Sequence, residues 1–346
     1  MKRVGVGVAG LGMGINHAQA YYEYDKAKLV ALCDIRAVSL KQACDKFKAK
    51  PYLSYVEMLE DPEIEAVSIA TPSYEHAIMG VMAALYGKHV LIEKPIATDL
   101  TAGDRLIQVC KEKGVKLGGI FQSRLDPKNI RIKQTLEEGT LGKPYLIEGI
   151  VKWWRGDKEY YHANKGVESW KGTWFGEGGG SMANQGVHTV DQLYWLMGEV
   201  ESVYGHYATV GHSIQAEDFC VALIKFKNGT VGYIICTTSA PKDAQETRIS
   251  VYGTRGVMSL VGDELTMKIE GEPSETIVGE TLRKDTLTVP LGSTHTEQCI
   301  NFIDAILEDR EPAVTGESAL KAIEIITAIY QSSMQGKPVS LPLRRY

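Results

Sequence analysis

A strand, a glycine-rich turn, a helix and a second strand ending in an acid open this chain. That order constrains its fold more than any other stretch. Residues 3–9 alternate valine with glycine and read as a buried strand. They run into Gly10-Leu11-Gly12-Met13-Gly14, then a helical segment over 15–24, then a strand over 28–33 that ends at Asp34. A dinucleotide-binding unit is built this way, with the acid about 20 residues beyond the glycines. Gly10 permits the tight turn, Gly12 lets the backbone reach a pyrophosphate, and the helix N-terminus offers N–H groups to that anion. Asp34 suits the ribose hydroxyls and its charge disfavours a 2′-phosphate, so NAD is expected over NADP. Arg36 is the residue that would reverse this by pairing with that phosphate. The third glycine falls at position 14, and Ile15 stands in the slot where the fingerprint usually has it.

The alternation continues. Residues 66–70 read as a strand, followed by Thr71-Pro72-Ser73 and a helix over about 76–86. Residues 89–92 form another strand ending in Glu93-Lys94-Pro95, then come a helix near 101–113 and a strand at 115–120. Strands alternating with helices imply a doubly wound parallel sheet with right-handed crossovers. Ligands of such sheets sit beyond the carboxyl ends of the strands, where Thr71 and Lys94 lie.

After Gln122-Ser123-Arg124 the pattern changes, so a nucleotide-binding domain over 1–122 and a substrate-binding and oligomerisation domain over 123–346 are expected. A helix near 127–138 is followed by strands at 145–152, 200–210, 218–226, 231–238, 247–252 and 257–260. Asn228-Gly229 is a hairpin signal and Gly253-Thr254-Arg255-Gly256 another turn, so this sheet should be large, open and mainly antiparallel. Helices near 296–307 and 317–334 close the chain.

Two stretches of the second half carry chemistry. Gly178-Gly179-Gly180 leads into a helix with Val187, Val190, Leu193, Tyr194 and Met197 on an apolar face. Asn184, His188 and Asp191 share a second stripe, which reads either as a place to handle a proton or as an N-cap and a solvated face. Residues 153–175 crowd Trp153, Trp154, Tyr160, Tyr161, Trp170 and Trp174 together with Arg155, His162 and Lys171. Such a loop suits stacking on a sugar, or is simply tacked down by its own aromatics.

The composition narrows the partners. The 346 residues carry a net charge of -5, and no run of Lys and Arg forms a stripe, so nucleic acid is not expected. No apolar run approaches a membrane span. The six cysteines show no CxxC pair, which suits buried thiols in a reducing cytoplasm, and no His, Cys and acid cluster has metal-ligand spacing. Met1-Lys2-Arg3 leads straight into glycines, so no secretion signal is read and a cytoplasmic location is expected.

Gly10-Leu11-Gly12, Thr71-Pro72 with His76, Glu93-Lys94-Pro95, and Gly178-Gly179-Gly180 leading to Gly186-x-His188-x-x-Asp191 resemble the glucose–fructose oxidoreductase / inositol dehydrogenase / MocA (Gfo/Idh/MocA) family. The ending from Ala319-Leu320 through Gly336-Lys337-Pro338-Val339 is similar too, so the resemblance covers essentially the whole chain. It implies a Rossmann domain followed by an α/β domain whose open sheet makes homodimer or homotetramer contacts. It also implies NAD(P)-dependent oxidation or reduction of a sugar, sugar derivative or cyclitol. The family's lysine and histidine fall on Lys94 and His188, which are therefore the expected catalytic residues. The family often has aspartate four residues before that histidine, where this chain has Asn184. The cofactor is expected on Gly10, Leu11, Gly12, Met13, Gly14, Asp34, Ile35, Arg36, Thr71, Pro72, His76, Glu93, Lys94 and Gln122. The substrate is expected on Arg124, Trp153, Lys171, Trp174, Asn184 and Asp191, with Arg124 delivered to the crevice edge of Lys94. Other classes of the same fold are a glycoside hydrolase working through transient oxidation and a non-catalytic nucleotide or sugar sensor. Retention of both Lys94 and His188 argues against the sensor.

Overall fold

The computed structural model describes residues 2–163, 166, 169–278 and 294–344. They divide into two compact units, one formed by residues up to 122 with 294–320, the other by 123–278 with 321–344.

The first unit is built on six parallel strands: β1 (Val4–Ala9), β2 (Ala27–Cys33), β3 (Lys50–Tyr52), β4 (Ala66–Ile69), β5 (His89–Ile92) and β6 (Leu117–Gly119). Their spatial order is β3-β2-β1-β4-β5-β6. The order reverses between β1 and β4, and in open α/β sheets such a switch point is where ligands bind. β1 is buried throughout, as its run of valines and glycines requires of a strand covered on both faces. The crossover helix Leu100–Lys113 shows how local chemistry sets the boundaries. Asp99 accepts the Ala102 N–H at its start, Gly114 closes it in the left-handed region, and Leu106, Val109 and Cys110 face the core. The helices Ala37–Phe47 and Tyr55–Glu60 and the strand β3 are not anticipated above. Leu40, Ala43, Cys44 and Phe47 do form an i, i+3, i+4, i+7 stripe, but it is set among Lys, Gln and Asp.

The unit is not continuous in sequence. The helix Thr294–Leu307 places Cys299, Phe302 and Ile303 in the same core as Val4, Val6, Leu32 and Leu91. Burying a side chain such as Phe302 contributes about 1.5–3 kcal/mol. Asp304 receives hydrogen bonds from Tyr24 (2.7 Å) and Lys26 (2.8 Å), and Gln298 donates to the Gly119 carbonyl at 2.6 Å. A single break at 122 does not describe this return.

The second unit is built on nine strands: β7 (Pro144–Lys152), β8 (Val200–Ala208), β9 (Phe219–Phe226), β10 (Val231–Thr237), β11 (Glu246–Gly253), β12 (Gly256–Val261), β13 (Glu264–Ile269), β14 (Glu275–Val278) and β15 (Val339–Ser340). Their order is β14-β13-β12-β11-β7-β10-β9-β8-β15, with every pair antiparallel except β7 with β10. Alternation along β9 buries Cys220, Ala222, Ile224 and Phe226 and turns Val221, Leu223 and Lys225 to the other face. Helices cover the first face. Gly149 lets Thr189 and Leu193 of the helix Val187–Met197 approach β7, and Gly205 does the same on β8 for Ile329 of the helix Gly316–Gln335. On the other face Tyr204 and Leu223 stay half exposed within the single chain. No helix among the described residues is long and apolar enough to cross a membrane, and all six cysteines are unpaired and buried.

Candidate functional site

In the first unit each glycine of the opening turn has its own reason. Gly10 has φ +85°, and a Cβ there would lie 2.6 Å from the Ala70 carbonyl oxygen. A Cβ on Gly12 would meet nothing within 4 Å, so the space above its backbone is open to a ligand. Gly14 supplies the close packing that the fingerprint assigns to its third glycine, since a Cβ there would press on Val8 and Ala70. The displaced glycine therefore performs the expected task one residue early. Around this turn Leu11 is half-buried, while Met13, Ile35 and Arg36 are exposed.

Asp34 is buried and accepts the Leu11 N–H at 2.8 Å, the Arg36 N–H at 2.8 Å and the Arg36 guanidinium through two bonds of 3.0 Å. Burial alone would raise its pKa, but the Arg36 and Leu11 donors hold the carboxyl below the usual range. Arg36 thus pairs with Asp34. Turning it toward a 2′-phosphate would cost that bidentate pair and leave like charges together. NAD is expected to bind at least roughly 100-fold more tightly than NADP, a difference of about 3 kcal/mol. Asp34→Ser with Arg36 retained should narrow or invert that ratio. Titration of both cofactors checks it, and tighter NADP binding by the wild type would show that Arg36 governs.

The turn after β5 is held from beneath. Glu93 is buried and accepts from His17 Nε2 at 3.0 Å and from the Lys94 N–H at 3.1 Å. His17 Nδ1 meets Ser68 Oγ at 2.6 Å, and His295 Nε2 lies 3.8 Å from Glu93. The Lys94–Pro95 peptide is cis. His76, also buried, has Nδ1 2.7 Å from the Pro95 carbonyl and Nε2 2.8 Å from the Thr71 carbonyl. It ties the Thr71-Pro72 turn to the Lys94-Pro95 turn. Burial pulls its pKa down, whereas two carbonyl acceptors favour the doubly protonated ring. Glu93 and His76, expected on the cofactor, are instead spent beneath these turns, because both side chains point into the unit's interior. Lys94, Thr71 and Pro72 stay partly exposed. Gln122 has a buried Oε1 that meets no partner among the described residues, which suits a donor on a bound ligand.

Glu93 carries a pH prediction. Burial raises its pKa, but His17, His295 and Lys94 lower it further, to about 2. A depressed carboxyl contributes stability that is present above its unfolded value near 4.5 and is lost as pH falls toward 2. The shift amounts to roughly 3 kcal/mol at neutral pH. Glu93→Gln should therefore be less stable than wild type at pH 7, and the gap should close between pH 4.5 and 2. Urea unfolding across that window checks it, and a gap that stays constant with pH would remove the assignment.

In the second unit the glycines 178–180 lead into a π-helical turn, Met182–Gly186, and then the helix Val187–Met197. Glu217, missed by sequence reasoning, locks this start. Wholly buried, it accepts from Gly180 N (3.1 Å), Ser181 N (3.0 Å), Ser181 Oγ (2.5 Å), Met182 N (2.9 Å) and Tyr330 Oη (2.6 Å). Burial raises its pKa while these donors hold it down. Its sequence signal is faint, an acid pair Glu217-Asp218 at the start of a strand that must bury its face.

The expected polar stripe is divided. Asn184 and His188 are partly exposed, but residues 189–193 are all buried. Asp191 is 0% exposed and accepts two bonds from Arg124, Nε at 2.9 Å and Nη2 at 2.6 Å. Burial pushes the Asp191 carboxyl up to about 6 against the pull of Arg124. Both residues, expected to grip substrate, are buried and paired with each other. The aromatic loop is anchored at several points. Trp174 Nε1 donates to the Gln215 carbonyl at 3.1 Å, and its ring meets Tyr207 and Tyr330 edge-on at 5.4 and 5.1 Å. Trp153 Nε1 donates to Thr247 Oγ1 at 2.8 Å, beneath the Arg155 guanidinium at 4.8 Å. Lys171 places its ammonium 3.6 Å from the centre of the Tyr160 ring. Tyr160, Glu177 and Gln185 belong to the same neighbourhood and were not singled out as site residues from the sequence. Among the described residues no group of three or more His, Cys, Asp and Glu side chains forms a metal site.

Comparison with known proteins identifies a family. Residues 4–120 match the oxidoreductase family's NAD-binding Rossmann fold, and residues 133–341 match that family's C-terminal alpha/beta domain. The structure superposes on the WlbA dehydrogenase from Bordetella pertussis, solved in complex with NADH and UDP-GlcNAcA. The TM-score is 0.89 with 32% sequence identity over 99% of each chain. Myo-inositol 2-dehydrogenase from Thermotoga maritima is 26% identical over 97% of this chain and 98% of its own. The scyllo-inositol 2-dehydrogenase (NAD(+)) of Bacillus subtilis is 26% identical over 98% of this chain and 96% of its own. The chain belongs to the Gfo/Idh/MocA family of oxidoreductases, with an NAD-binding Rossmann domain followed by the family's C-terminal α/β domain.

Proposed function

We propose that the protein is an NAD-dependent dehydrogenase or reductase acting at a hydroxyl or keto carbon of a sugar, sugar derivative or cyclitol. Lys94 and His188 are its acid/base groups. Bound NAD, held by the Gly10–Gly14 turn, Asp34, Thr71 and Gln122, supplies the hydride acceptor. The protein's own part is to move the hydroxyl proton. An imidazole titrates near neutrality and suits that exchange, and an ammonium can donate to the reacting oxygen. The observation that carries this reading is in the second unit. His188 is partly exposed on the helix that continues the π-helical turn, and Glu217 fixes the start of that turn through four hydrogen bonds from residues 180–182 and one from Tyr330, which supports an acid/base group held in one position. The relatives support the substrate class, since two are inositol dehydrogenases and one was solved with a nucleotide-linked sugar acid.

A screen tests the reading. Nucleotide-linked sugars and sugar acids, inositols, monosaccharides and glycosides are offered with NAD and with NADP, and NADH absorbance is followed. Turnover of a member of these classes is the expected result. Release of an aglycone without net NADH would select the hydrolase instead, and cofactor binding with no turnover would select a sensor. The half-exposed sheet face bearing Tyr204 and Leu223 is the surface on which we propose a second copy docks, which light scattering would test.

A further inference from the structure

Arg155 lies just beyond the end of β7, and its backbone prolongs that strand. Trp153 and Arg155 donate their N–H groups to the Thr237 and Thr238 carbonyls, each at 2.9 Å. The Arg155 side chain is half-buried and held in place. Its guanidinium carbon lies 4.8 Å from the centre of the Trp153 ring and 5.3 Å from that of Tyr160, and Nη1 donates to the Trp154 carbonyl at 3.1 Å. Both rings are anchored in turn, Trp153 by Thr247 and Tyr160 by the Gln185 amide at 3.0 Å. Contacts of this kind use the flat face of a guanidinium and leave its edge. That edge carries five N–H donors, of which the Trp154 carbonyl takes one.

The acids nearby answer other groups. Asp157 meets His212 Nδ1 at 2.9 Å, Glu177 accepts the Gly172 N–H at 2.6 Å, and the Glu159 carboxyl lies over Gly156. Among the described residues no carboxylate forms an ion pair with Arg155, whereas in the same unit Arg124 is paired with Asp191 and Arg248 with Glu246. A guanidinium edge held in one orientation, with no acid on it, is complementary to a pair of anionic oxygens. Tyr160 ties this charge to the candidate site. Its partner Gln185 stands three residues before His188, on the helical run that begins at Met182.

We propose that Arg155 is a specificity-determining residue of that site, recognising two anionic oxygens of a carboxylate or phosphate carried by the sugar substrate. This rests on the dehydrogenase reading above and narrows its substrate class to anionic sugars. Either group presents two oxygens to the same fork, so the test distinguishes which of them bears the charge.

Binding of glucose, UDP-glucose and UDP-glucuronate to the NADH-loaded full chain is measured by calorimetry, for the wild type, Arg155→Met and Arg155→Lys. Methionine keeps an apolar stem against the two rings, and lysine keeps the charge without the fork. The wild type should bind one charged probe at least roughly tenfold more tightly than its less charged counterpart, and Arg155→Met should lose that margin. A lost margin between UDP-glucuronate and UDP-glucose identifies a carboxylate. One between UDP-glucose and glucose identifies a phosphate. Added salt should shrink the margin. Arg155→Lys should lose at least about threefold of it, and decides the matter alone if Arg155→Met does not fold. The proposal is overturned if the wild type shows neither margin, or if a variant keeps the margin intact while weakening all probes alike or none. Binding is read without turnover, so the two readings fail separately. An Arg155-dependent margin with no carbohydrate oxidised or reduced leaves the anion site standing and removes the dehydrogenase reading.

Discussion

Replacing Lys94 or His188 with alanine is expected to lower turnover by roughly 100-fold or more while each unit stays folded. The expectation of folding comes from exposure. Both side chains are partly exposed, whereas the residues that anchor their segments are buried neighbours: Glu93 and His76 for Lys94, and Val187, Thr189 and Val190 for His188. Truncating an exposed group away from such anchors typically changes stability by about 0.5 kcal/mol or less. Loss of a positioned proton-transfer group acts on the barrier instead, and a 100-fold loss corresponds to about 2.7 kcal/mol. NADH affinity should stay near wild type in His188→Ala, because the nucleotide-holding turns belong to the first unit. Steady-state kinetics and cofactor titration separate the two effects. Wild-type turnover in either variant would remove that residue from the mechanism.

The largest stability effect is expected at Glu217. Glu217→Ala would leave the N–H groups of Gly180 and Met182 and the hydroxyl of Tyr330 facing a cavity inside the second unit. Each orphaned buried donor costs about 1–3 kcal/mol, so a loss of about 4 kcal/mol or more is expected. For a unit of this size that is a drop in melting temperature of roughly 10 °C. Glu217→Gln keeps one acceptor oxygen and should lose less. Equilibrium unfolding of the three proteins decides the matter, and a loss below about 1 kcal/mol for alanine would mean that the clamp is not what holds the helix start.

The first unit was largely legible in the sequence because its signals are local. Gly10, Gly12 and Asp34 lie within one βαβ step, and the alternation through β4, β5 and β6 follows from apolar runs bounded by turns. Candidate site residues could be proposed only where they act through their own sequence neighbourhood. Asn184 and His188 came from spacing along one helix. Asp191 shares that spacing, yet what decides its role is Arg124, 67 positions away, and a stripe of polar residues does not reveal which member is buried. Glu177 and Glu217 were invisible for a related reason. A carboxylate that caps backbone N–H groups leaves no pattern in its own segment, since its partners can be any residue type. Arg36 was read as the residue that could pair with a 2′-phosphate, but its partner in the structure, Asp34, is a matter of geometry.

The return of residues 294–307 to the first unit has a consequence for how the protein is made. Cys299, Phe302 and Ile303 complete the core that begins with Val4, so that core cannot close when residue 122 has been synthesised. The nucleotide-binding unit must wait on the ribosome, with its apolar surface uncovered, until nearly the whole of the other sheet has emerged. Folding of such a chain does not proceed unit by unit from the N-terminus. Affinity for NAD is therefore acquired late in translation, and a nascent chain halted before residue 294 should neither retain the cofactor nor escape capture by chaperones that bind exposed apolar surface.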